Sequence, residues 1–110
     1  MRKYNILVCI NTINLARLDF IRLLEELRKL RVHIKYVSKS DLMIYTKNCK
    51  IHFIVRSECL QKYTDYYDAL YGFSYVESVI VSKNKEVLLN PYKCLTKYIL
   101  IKEGYLLEEN

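Results

Sequence analysis

Residues 9–20, CINTINLARLDF, carry the spacing of the phosphate-binding loop pattern G-x-x-x-x-G-K-[ST]. Asn11 and Ala16 take the glycine positions, Arg17 the lysine and Leu18 the Ser/Thr. Such a loop holds phosphate by turning backbone N–H groups inward at a helix start, where the helix dipole also favours an anion. Asn11 tolerates positive φ, Ala16 is small and Arg17 keeps the charge. Asn11, Thr12, Asn14, Ala16 and Arg17 therefore form a candidate anion- or nucleotide-binding set, with Asp68 as the acid that would complete it from a neighbouring strand. Leu18 offers no hydroxyl to Mg2+, and an arginine fork is not a point ammonium. No Glu follows Asp68 to orient a water. The stretch reads first as a turn into the first helix; if it is used, the chemistry expected is weak anion binding with no catalytic residue.

The remaining reactive side chains suggest no other chemistry. His33 and His52 sit at polar positions of strand-like segments without a Cys, Asp or Glu at ligand spacing, so neither a metal nor another cofactor is expected. No serine has a G-x-S-x-G setting. Cys9, Cys49, Cys59 and Cys94 include no C-x-x-C pair and read as free thiols, with Cys9 and Cys49 in apolar runs.

These residues must be positioned by a small α/β framework. KYNILVCI (3–10) is a continuous apolar strand, suited to burial on both faces of a parallel sheet. NLARLDFIRLLEELRKL (14–30) is an amphipathic helix, with Asn14 as N-cap and Arg28, Lys29 and Arg31 crowding its C-terminus. VHIKYV (32–37) follows as a strand, so the chain opens with a βαβ unit. SKSD (38–41) is a turn. Residues 42–55 read as an antiparallel hairpin near a sheet edge, with Lys47-Asn48 at its tip. Residues 57–66 are a short helix or loop, and YDALYGF (67–73) is a second buried strand. Residues 74–89 suit either a strand or a helix. Asn90-Pro91 starts a C-terminal helix that runs to about 103 and stops at Gly104.

The order strand, loop, helix, strand, hairpin and then YYDALYGF resembles the nucleotide-binding core of phosphate-loop ATPases of the helicase and phage-terminase kind. The resemblance spans roughly residues 3–82, in degenerate form, with Asp68 as its acidic residue. It implies a small phage or mobile-element accessory protein. An inhibitor of a host defence nuclease is one concrete form. Use of the 11–18 loop with Asp68 for nucleotide binding or NTPase activity is the alternative.

Composition bounds the rest. The 110 residues form a single α/β domain, 1–110, with a three- to five-stranded mixed sheet, and can bury a core without disulfides. No run approaches a membrane span, and YNILVCI is too short for a signal peptide, so a cytoplasmic location is expected. The net charge is +6, and residues 1–56 hold 12 Lys/Arg against 4 Asp/Glu. Arg17, Arg22, Arg28, Lys29 and Arg31 are the candidate basic partner surface, facing a protein or ribonucleoprotein complex or, alternatively, nucleic acid directly. Eleven tyrosines include a cluster at Tyr63, Tyr66, Tyr67, Tyr71 and Tyr75, a candidate interface because tyrosine is amphipathic. An exposed sheet edge in so small a domain leads to the expectation of a homodimer. The function expected is binding, not catalysis.

Overall fold

The computed structural model describes residues 3–59, 67–74, 86–88 and 93–107. Strand β1 (Tyr4–Ile10) leads into helix α1 (Ile13–Lys29), then β2 (Ile34–Ser38), β3 (Met43–Thr46) and β4 (Cys49–Val55). A four-residue helix α2 (Arg56–Cys59), strands β5 (Ala69–Tyr71) and β6 (Glu86–Leu88) and helix α3 (Lys93–Lys102) complete the chain. The strands form one mixed sheet in the order β2-β3-β4-β1-β5-β6. The small mixed α/β sheet expected from the sequence is present, and the three-residue β6 brings it to six strands. β6 is the end of the segment 74–89 that suited either state; residues 75–85 lie outside the described residues.

The central place of β1 follows from its run of apolar residues. It pairs in parallel with β4 on one side and β5 on the other, and Ile6, Leu7, Val8 and Cys9 are all buried. β3 is antiparallel to both β2 and β4, so β2 runs parallel to β1 with two strands between them. The opening is a βαβ unit as expected. The hairpin closes at Lys47-Asn48, where the Thr46 hydroxyl accepts the Cys49 N–H at 3.0 Å. It lies one strand in from the sheet edge, which β2 itself forms.

Both long helices pack on one face of the sheet. Ala16, Phe20, Leu23, Leu24 and Leu27 of α1 meet Ile6, Val8, Ile44, Ile51 and Phe53, and Leu95, Tyr98 and Ile99 of α3 join the same core. Phe20 and Phe53 meet edge to face, with centroids 5.9 Å apart. Buried Thr96 donates from Oγ1 to Glu26 Oε2 at 3.2 Å, which ties α3 to α1. A second cluster, Leu7, Cys9, Ile54, Tyr67 and Leu70, occupies the opposite face.

The helix ends show how local sequence sets length. Thr12, not Asn14, caps α1: its Oγ1 accepts the Leu15 N–H, while Asn14 is already within the first turn. α1 ends in a Schellman motif, with Val32 N–H to Leu27 C=O at 2.9 Å and Arg31 N–H to Arg28 C=O at 3.0 Å. Arg31 takes the left-handed position at φ 61°, where glycine is usual. α3 ends the same way on Gly104 at φ 84°, with Tyr105 N–H to Leu100 C=O at 2.8 Å. Its start, expected at Asn90-Pro91, lies outside the described residues.

Candidate functional site

The window that matched the phosphate-loop spacing is not a loop. Only Asn11 and Thr12 separate β1 from α1, and Ile13 to Leu18 are helical. Ala16 is buried against the sheet, so its backbone serves the helix and not a ligand. Leu15 and Asp19 turn toward a crevice of about 250 Å3 between the carboxyl ends of β1 and β5, lined also by Asn11, Tyr71 and Gly72. The direction of the strand connections reverses beside β1, and ligands of open α/β sheets settle in such crevices. Here the place is poorly suited to an anion. The Thr12 side chain already fills the helix cap, and the Asp19 carboxylate lines the opening.

Arg56 ties Asn11 to Gly72, two of the residues that line this crevice. Its Nε donates to Asn11 Oδ1 at 2.8 Å and one terminal nitrogen donates to the Gly72 carbonyl at 2.6 Å. Gly72 has φ 87°, and a Cβ there would stand 2.2 Å from the Cys9 carbonyl oxygen. The turn after β5 thus needs glycine to approach β1 this closely. Burial, with Asp19 and Cys94 nearby, raises the Tyr71 phenol above its usual range.

Asp68 does not join Asn11. It sits at the start of β5, where its Oδ2 accepts the Asn5 N–H at 2.7 Å and its own N–H donates to the Asn5 carbonyl at 2.7 Å. Asn5 and Asn11 are six residues apart along an extended strand, about 20 Å. Asp68 therefore lies at the opposite end of the sheet and cannot hold a metal for a ligand at Asn11. Arg17 is also separated from the crevice, because two residues after Leu15 is the far side of the helix.

Arg17 belongs to another feature. With Phe20, Ile21, Leu24, Arg28, Lys39 and Leu42 it lines a groove of about 450 Å3 between α1 and the turn before β3, where Glu25 is the one acidic residue among the described lining residues. Beside it, along the open edge of β2, runs a groove of about 400 Å3 lined by Arg28, Arg31, Val32, Ile34, Lys35, Tyr36 and Val37. Among the described residues, no carboxylate lines this second groove. Arg28 borders both, so Arg17, Lys39, Arg28, Arg31 and Lys35 make a continuous basic belt on the β2 side. Of the basic residues expected on one surface, the two grooves bring Arg17, Arg28 and Arg31 side by side. Arg22 and Lys29 are exposed on the outer face of α1, where Arg22 stands 3.7 Å from Asp19.

The tyrosines need a correction. Tyr67 and Tyr71 are buried, in the clusters on opposite faces of the sheet, and present no interface; Tyr63, Tyr66 and Tyr75 lie outside the described residues. Among the described residues the exposed aromatics are Tyr36, at 60% exposure, and Tyr105, at 49%; the Tyr36 ring lies 5.6 Å from that of Tyr45. Composition gave no warning of Tyr36. The usable signal was the pairing of IKYV with MIYT across one turn, but its register depends on a bulge. The partners shift between Ile34 and Tyr36, so that Tyr36 faces Tyr45 and Val37 faces core residue Ile44. Regular alternation would have set Lys35 opposite Tyr45 and turned Tyr36 toward the core.

Two of the described thiols belong to the core. Cys9 and Cys49 are buried and Cys94 is half-buried. Burial, with Glu103 nearby, pushes the Cys49 thiol up to about 12. Among the described residues, no group of three His, Cys, Asp or Glu is arranged to hold a metal ion, and no helix is long and apolar enough to cross a membrane. Comparison of the chain with protein-family models, curated proteins and solved structures finds no match.

Proposed function

We propose that this chain is a non-catalytic binding protein that engages a polyanionic partner, as in a ribonucleoprotein complex, through the basic belt on the β2 side. The observation that carries the reading is the groove along β2, where Arg28, Arg31 and Lys35 converge with no carboxylate among the described lining residues. Positive groups gathered together repel one another, and a polyanion relieves that repulsion. Pairing of two copies along this edge would set Arg31 and Lys35 against their own counterparts, which favours a polyanion over a second copy here. The separation of Asp68 from Asn11 leaves the nucleotide alternative without its acidic group.

Retention on immobilised heparin tests the reading. The protein binds at low ionic strength and elutes on a salt gradient. Charge reversal at Arg28, Arg31 and Lys35 together abolishes retention, whereas Lys93→Glu, at an exposed position of α3, changes it little. Equal retention of the triple variant would refute a role for the β2 edge.

A further inference from the structure

The basic groove and the exposed tyrosine are parts of one surface. Tyr36 lines the groove with Arg28, Arg31 and Lys35, and its ring also meets Tyr45 on the sheet face opposite the helices. Tyr45 is held in place from two sides. Its hydroxyl donates to Met43 Sδ at 3.6 Å, and Lys50 Nζ stands 5.8 Å from its ring centroid. Lys50 pairs with Tyr45 across the hairpin, so the cation is fixed beside the rings by the strand register. The surface thus runs from three cations at the edge, over an exposed ring, to a second ring with a cation next to it.

We infer that the Tyr36–Tyr45 pair is a base-stacking platform, and that single-stranded nucleic acid is the polyanion held along the β2 edge. This rests on the basic-edge reading above and gives it a ligand class. Phosphates have Arg28, Arg31 and Lys35. Unpaired bases have the Tyr36 face, which the fold leaves open when it could have buried it. The bulge at Lys35 achieves this, turning Lys35 out at the edge and Tyr36 onto the sheet face. Stacking on aromatic side chains in a positively charged groove is how proteins hold single strands with little sequence preference. A duplex keeps its base faces inside its own stack and gains nothing from Tyr36. An acidic peptide would use the cations and ignore the rings.

Fluorescence anisotropy of the full chain with labelled dT20 and U20 strands, a 20-base-pair duplex and heparin as competitor tests this. The single strands bind at least about 10-fold more tightly than the duplex at equal salt. Tyr36→Ala weakens single-strand binding by about 10-fold and leaves its salt dependence unchanged, while Tyr36→Phe keeps the affinity. Lys35→Ala instead makes the salt dependence shallower by about 0.7 in log–log slope. Tyr36 is exposed, so the variants fold, and their thermal melts should overlay that of the parent. Equal or tighter duplex binding, or full affinity in Tyr36→Ala, overturns the platform. If heparin is still held through Arg28 and Arg31 in that case, the basic edge stands and the stacking inference alone falls. If neither heparin nor any strand binds at low salt, both fall.

Discussion

Arg31 shows how a single position can serve the surface at a cost to the fold. It occupies the left-handed site after α1, which disfavours any side chain by about 1 kcal/mol relative to glycine. Strained positions of this kind collect at functional sites. Arg31→Gly should therefore raise stability by about 1 kcal/mol while weakening heparin binding; chemical denaturation and heparin elution read the two effects separately. Gly72 is the opposite case. Gly72→Ala forces a Cβ onto the Cys9 carbonyl at positive φ and should cost more than about 2 kcal/mol in the same assay. The Cys49 thiol, pushed up to about 12, keeps its proton in the fold where the unfolded chain loses it near 9. Its contribution to stability is complete below pH 9 and is lost as pH rises toward 12. Denaturation midpoints across that range should fall less in Cys49→Ala than in the parent. At this scale Arg17 was legible as a charge worth testing, but its direction was not, because that depends on where α1 begins. Thr12 rather than Asn14 sets the start, and one turn of helix then carries Arg17 away from the crevice.

Among the elements, α1 and β1 were the most legible, since each has one dominant period. Of the apolar residues at helical spacing, Phe20, Leu23, Leu24 and Leu27 face the core while Leu15, Leu18, Ile21 and Leu30 are exposed, so the buried face is rotated from the one the spacing implies; the apolar run of β1 had to be covered twice. Phe20→Ala, which opens the contact with Phe53, should lose about 3–5 kcal/mol in a denaturant melt. The β2 register was not legible. Val32, Ile34 and Tyr36 look like one face of a strand, yet the bulge moves Tyr36 to the other. Deleting Lys35 removes the extra residue and leaves a regular ladder, with Ile34 still opposite Thr46 and Tyr36 still opposite Tyr45. The expected outcome is a fold and a Tyr36–Tyr45 pair that survive, with single-strand binding whose salt dependence is shallower by about 0.7 in log–log slope, as for Lys35→Ala. Asp68 was misleading for a related reason. An acid before an apolar strand stands at the strand's start, and β5 runs parallel to β1, so its start is remote from the end of β1.

The whole molecule separates two ends and two sides that composition alone merges. The excess of positive charge in residues 1–56 was visible as a number, but the belt exists because α1 ends beside β2 at the sheet edge. There Arg28 and Arg31 from the helix terminus meet Lys35 from the strand. The tyrosine count likewise spoke for a partner surface, while the fold buries Tyr67 and Tyr71 and presents Tyr36. The most direct measurement is the salt dependence of dT20 binding, by anisotropy, for the parent and the Arg28/Arg31/Lys35 charge-reversal variant. Three phosphate contacts at the β2 edge give a log–log slope of about −2 in the parent, and reversal leaves no measurable binding. A slope near zero, or an undiminished slope in the variant, would contradict a polyanion site at this edge.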